Sequence, residues 1–105
     1  MLAQVKKDLK AIKCYYSQLR EIDIVSETVS YDGFKQKVEL YNQAINIATP
    51  ILYRVYTSIY VEGLSLEETA EEIDKSYKTV VRKNKELREY FIEYFKKNNI
   101  DIFNL

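Results

Sequence analysis

The sequence predicts an all-α fold of four to five helices, closing on a long last helix and built as a single domain over residues 1–105. Two observations carry this. Only 2 glycines and 1 proline stand in the chain, too few turn formers for a β fold of this length. Apolar residues also return at alternating spacings of three and four, the period of one helix face. With 47% apolar residues, the chain can bury one modest core.

Leu2, Val5, Leu9, Ile12, Tyr16 and Leu19 form the first stripe and predict a helix over residues 2–22. Lys6, Lys7, Lys10 and Lys13 lie off it. Such a stripe suits a helix packed on its own domain or a coiled-coil arm paired with a second chain; its shortness favours the first. Residues 23–33 mix β-branched residues with Ser, Asp and Gly, which predicts a loop closing at Asp32-Gly33, with room for a short extended piece. Phe34, Val38, Tyr41, Ile45 and Ala48 restore the helical spacing up to Thr49. Pro50 then either opens a third helix, with Thr49 as its cap, or kinks one helix running from 34 to 61. Leu52, Val55, Tyr56 and Ile59 form the buried face of this segment, and Gly63 stops it. Residues 1–49 thus make an N-terminal helical arm.

Ser65-Leu-Glu-Glu68 is a capping box, a hydroxyl at the N-cap with a carboxylate three residues on. It opens a short helix over 65–73 with Leu66, Thr69, Ala70 and Ile73 on its inner face. Asp74-Lys75 makes a tight turn, and Ser76 caps a helix that carries Val80, Leu87, Phe91 and Phe95 and reaches Asn98. At 1.5 Å per residue that last helix is roughly 30 Å long. The tail, residues 99–105, brings Ile100, Ile102, Phe103 and Leu105 back onto the domain or onto a partner. Tyr90, Phe91, Tyr94 and Phe95 exceed one narrow stripe, so some are expected against the N-terminal helix or a second copy, as in a homodimer.

No catalytic constellation is visible, and an enzyme is not expected. The chain has no His and no Gly-rich phosphate loop, and its single cysteine, Cys14, has no imidazole to activate it. One cysteine cannot build a zinc site, so no metal or cofactor is expected. Cys14, beside the first stripe, is expected to be a packed thiol in a reducing compartment. No apolar run approaches a membrane span and no secretory leader is visible, so the reading is cytoplasmic with no membrane partner.

Net charge is zero, with 16 basic and 16 acidic residues, but the charge is segregated. Residues 64–74 sum to −5 and residues 75–88 to +5. The reversal falls where the two capped helices meet. Two short-linked helices with a small Ala70 at their crossing describe a helix-turn-helix, occupying residues 50–98 with the supporting third helix. An exposed first turn of the second helix is how this motif reads bases.

The stretch from Tyr60 to Arg88 resembles region 4 of bacterial sigma factors. It is also similar to the sigma-like regulators of Gram-positive phages and prophages, of the RinA and ArpU kind. The matching features are Tyr60-Val-Glu-Gly63, Ser65-Leu66-Glu67-Glu68, Ala70, and Ser76 four residues before Val80, with Leu87 seven further on. Three positions depart from the pattern: Thr69 stands for the usual Ile, Asp74 for Gly, and Lys75 for an apolar residue.

The resemblance implies a DNA-binding transcriptional regulator, phage or prophage encoded, with double-stranded DNA and RNA polymerase as partners. It implies that Tyr77, Lys78, Thr79, Arg82 and Lys83 face the groove, with Lys78, Thr79 and Arg82 reading bases. Lys75, Lys83, Lys85 and Arg88 would hold phosphates. Glu67, Glu68, Glu71 and Glu72 would point away from DNA. Two other functions stay open: a DNA-packaging component like the small terminase subunits, and a protein-interaction module or inhibitor that keeps the shape without the DNA role. The neutral net charge favours the latter.

Overall fold

The computed structural model describes residues 1–21 and 32–104. Among them are five α-helices and no strand: α1 (Leu2–Glu21), α2 (Asp32–Asn46), α3 (Pro50–Tyr56), α4 (Leu66–Glu72) and α5 (Tyr77–Lys97). A π-helical turn, Thr57–Val61, continues α3, and a 3-10 turn, Ile102–Asn104, follows α5. The chain is all-α with a long last helix, as its periodicity predicts.

α5 is the spine, packed against each of the other four helices. Val80, Leu87, Phe91 and Phe95 are fully buried along it. Of the α5 aromatics, Phe91 and Phe95 are fully buried, against α2 and α3, while Tyr90 and Tyr94 stay half-buried. Tyr41 sets its ring edge-on to Phe91 at 4.8 Å and to Phe95 at 5.0 Å, and Tyr56 meets Phe91 at 5.8 Å. The Tyr90 hydroxyl donates to the Ala44 carbonyl. Ile102 of the tail is buried and Ile100 half-buried, whereas Phe103 stays exposed; Leu105 lies outside the described residues.

α1 buries the middle of its stripe, Val5, Leu9 and Ile12, and leaves Leu2 and Leu19 exposed at its ends. Cys14 is exposed, not packed: it sits off the stripe, where the Gln18 amide reaches its sulfur. The same helix buries a residue that periodicity passes over. Asp8, 3% exposed, takes Lys37 Nζ at 3.2 Å and the Tyr41 hydroxyl at 2.8 Å. Gln4, one turn earlier, donates a third bond at 2.8 Å.

Asp32 and Gly33 begin α2 rather than closing a loop; the loop expected over 23–31 lies outside the described residues. α2 and α3 are separate helices, with Pro50 at the first position of α3, where its missing N–H has no intrahelical acceptor to lose. Thr49 holds the extended N-cap conformation, but its side chain makes no capping bond. Leu52, Val55, Tyr56 and Ile59 are buried as expected.

The π-turn was not visible in the sequence. The Glu62 N–H reaches back five residues to the Thr57 carbonyl at 2.8 Å. Gly63 then turns the chain at φ +78. That φ is costly for any residue with a Cβ and is the constraint that decides; a Cβ would also lie 2.7 Å from the Arg20 guanidinium, the far end of a flexible side chain that can shift away. Arg20 also donates to the Val61 carbonyl, tying the end of α1 to this turn.

Candidate nucleic-acid interface

α4 and α5 are defined by local chemistry at each end. Ser65 Oγ accepts the Glu68 N–H at 3.0 Å, and the Glu68 carboxylate accepts the Ser65 N–H at 2.8 Å. Both orphan donors of the capping box are thus satisfied. α4 ends in a Schellman arrangement: the Lys75 N–H reaches the Ala70 carbonyl at 2.9 Å and the Asp74 N–H reaches Glu71 at 3.3 Å. This requires a left-handed residue, and Asp74 supplies it at φ 57. Ser76 Oγ then accepts the Thr79 N–H at 3.1 Å and opens α5. Ala70 and Ile73 are buried against α5. Thr69 is fully buried, and its hydroxyl has no hydrogen-bond partner among the described residues.

This geometry distributes the expected DNA-contacting residues unevenly. Lys78, Arg82 and Lys85 stand at i, i+4 and i+7 on the face of α5 opposite its buried residues, and all three are exposed. Tyr77, 49% exposed, and Lys75 lie at the near end of that row. Val81, an exposed apolar residue unremarked in the sequence, sits between Lys78 and Lys85.

The others are placed differently. The Thr79 hydroxyl accepts from Ser76 Oγ at 3.0 Å, so it belongs to the cap. Lys83 is half-buried and pairs with Glu86 at 3.1 Å, and Glu86 also takes Arg82 at 3.6 Å. Arg88 lies on the flank of α5, where with Asn84 it faces α1 across a groove. There the Tyr60 hydroxyl donates to Asn84 Oδ1 at 2.7 Å. Burial pushes the Tyr60 phenol above its ordinary pKa, while the bond to Asn84 and the adjacent, hydrogen-bonding Arg88 guanidinium pull the other way.

No family model matches the chain, and neither the curated proteins nor the solved structures compared with it give a match. The functional reading therefore rests on the residues themselves.

The exposed carboxylates Glu67, Glu71 and Glu72 occupy α4, next to the basic row of α5. Among the described residues no cluster of His, Cys, Asp or Glu is placed to hold a metal ion, and no helix is long and apolar enough to cross a membrane. What sequence reading missed is the company Arg88 keeps. Lys6, Lys10 and Lys13 of α1 line the same groove. Their spacing of four and three was the available signal; what it lacked was the position of α5.

Proposed function

We propose that this chain is a DNA-binding transcriptional regulator, phage or prophage encoded and acting in the cytoplasm, with α4, its turn and α5 working as a helix-turn-helix. One observation carries the reading. The start of α5 leaves the domain exposed and cationic, with Lys75, Tyr77, Lys78, Arg82 and Lys85 together and Glu86, the sole carboxylate between Lys75 and Arg88, paired with Arg82 and Lys83. Lys78 and Arg82 are the side chains suited to base edges, with Lys75 and Lys85 on phosphates. The resemblance of Tyr60–Arg88 to sigma region 4 supports the same assignment and adds RNA polymerase as a partner.

The test is binding of random-sequence duplex DNA at low and moderate salt, by the native chain and by Lys78→Glu/Arg82→Glu. Salt-sensitive binding that the double substitution abolishes is expected; absence of binding at low salt overturns the proposal. Co-purification with RNA polymerase, lost on substituting α4, tests the sigma-like part.

The proposal includes a homodimer. A groove of about 650 Å³ lies between the end of α2 and the last turns of α5. Ile47, 72% exposed, stands on one side and the half-buried Tyr90 and Tyr94 on the other. Its rim is self-complementary: Glu93 of one copy would meet Lys96 and Lys97 of another about a two-fold axis. A solution mass of two chains, reduced to one by Ile47→Glu, is expected.

A further inference from the structure

Lys6, Lys10 and Lys13 stand at i, i+4 and i+7, one row along α1 beside its core stripe. Facing them across a groove of about 390 Å³ is Arg88 of α5. No carboxylate lines this groove. Asp8, the acid nearest these lysines on α1, is turned the other way into Lys37 and Tyr41. None of the four cations has an ion-pair partner among the described residues. Arg88 Nε is buried and has no hydrogen-bond acceptor there. The floor between the banks is apolar, with Leu9 and Ile59 nearly closed over and Leu66 half-buried.

Three features of this site select its ligand. A duplex backbone offers phosphate and sugar only, so it would match the rim and leave the apolar floor unfilled. A free nucleotide needs an open ring face to stack on, and Tyr60, 8% exposed with its hydroxyl held by Asn84, does not offer one. A row from Lys6 to Lys13 spans about 10 Å at 1.5 Å per residue, the reach of two helical turns. Carboxylates at i, i+4 and i+7 of a second helix match that row, and an apolar stripe beside them matches the floor.

α4 of a second copy has the acids but not the stripe, because its Ala70 and Ile73 are buried in its own domain. We infer that the α1–α5 groove binds an acidic amphipathic helix of a partner protein, its carboxylates on Lys6, Lys10, Lys13 and Arg88 and its apolar side chains on the half-buried Leu66. This site is separate from the exposed row of α5 and stands whether or not that row binds DNA.

A displayed random-peptide library selected on the full chain tests it, with the enriched peptides then titrated by fluorescence anisotropy. Enriched sequences are expected to set Glu or Asp beside Leu, Ile or Phe at helical spacing. Lys6→Glu/Lys10→Glu is expected to weaken them by about tenfold or more. A charge-matched pair outside both grooves, Lys7→Glu/Lys35→Glu, is expected to leave affinity within about twofold. Lys6→Gln/Lys10→Gln, with its helical circular dichroism and melting curve checked against the native chain, repeats the test without reversing charge.

No enrichment, enrichment of basic or neutral sequences, or equal binding to the Lys6/Lys10 variants overturns the inference. So does duplex DNA binding weakened more by Lys6→Glu/Lys10→Glu than by the matched pair, which would assign the groove to nucleic acid. A dimer that this substitution alone dissociates would assign it to a second copy, with the same consequence.

Discussion

Asp8 is held by three donors, from Gln4, Lys37 and Tyr41. Removing it strands an ammonium and a phenol in a buried site. Asp8→Ala is therefore expected to destabilise the chain by ~3–5 kcal/mol, the range for breaking one side of a buried pair. Asp8→Asn, which keeps the shape and one acceptor, should cost less; chemical denaturation of both variants checks the order.

Thr69 poses the opposite case. It is fully buried with an orphan hydroxyl, at a position where the sigma-like pattern has Ile. Thr69→Val keeps the shape and removes the unsatisfied group, and is expected to stabilise by about 1–3 kcal/mol. A lower melting temperature in that variant would mean that the hydroxyl has an acceptor after all.

The tyrosines give a pH dependence with a definite sign. Burial raises the phenols of Tyr41 and Tyr56 far above their ordinary value, and those of Tyr60, Tyr15 and Tyr90 less. The folded state then holds phenolic protons that the unfolded chain releases. The stabilisation is complete below the unfolded pKa of about 10 and is lost as pH rises from there through the folded values. Urea midpoints should be flat on the acid side of that point and fall on the alkaline side, with the phenolate absorbance of the buried Tyr41 and Tyr56 appearing together with unfolding.

At the scale of elements, each helix end obeys a local rule. α4 and α5 start on serines whose hydroxyls accept the third backbone N–H. Both end on a left-handed residue, Asp74 at φ 57 and Asn99 at φ 56. The two ends use the same pair of bonds, since Ile100 reaches back to Phe95 at 2.9 Å and Asn99 to Lys96 at 3.2 Å. Asp is a poor choice for that conformation, which costs an L-residue about 1–2 kcal/mol. Asp74→Gly is expected to recover part of this, about 0.5–1 kcal/mol after the greater flexibility of the unfolded glycine is set against it. A fall in melting temperature would show that the Asp74 side chain itself supports the turn.

These ends were legible in the sequence because each is settled within six residues. The capping box and the cap at Ser76 need nothing from elsewhere in the chain, whereas Pro50 fitted a helix start and a kink alike until the structure separated α2 from α3. The π-turn at Thr57–Val61 was not legible. It belongs to the packing of α3, α1 and Arg20 around Gly63, and no spacing within those five residues encodes it. Asp8 escaped for the same reason, its ammonium partner being 29 residues away. The row on α5 was an expectation from the sigma-like resemblance, which set Arg88 with it; the flank that Arg88 takes depends on where α1 lies.

At the scale of the whole molecule, the opposing blocks of charge stand side by side. The acidic α4 and the basic row of α5 belong to neighbouring helices of a chain whose net charge is zero. Screening acts over about 10 Å at 0.1 M salt, so beyond that distance the two blocks largely cancel. Long-range steering toward DNA is weak in such a molecule, and affinity must come from the few cations that touch phosphate.

The proposed interface offers DNA four cations at most, Lys75 and Lys85 on phosphates and Lys78 and Arg82 toward base edges, so four is the upper bound on phosphates neutralised. At about 0.9 in the logarithmic salt slope for each phosphate neutralised, duplex binding is expected to show a slope no steeper than about −4. Lys85→Gln should reduce that slope by about 0.9, because Lys85 stands on the exposed row without an ion-pair partner among the described residues. Arg88→Gln should leave it unchanged, because Arg88 faces α1. Equal losses of slope from the two substitutions would mean that DNA wraps onto the α1–α5 groove as well, and would enlarge the footprint from one face of α5 to two sides of the domain.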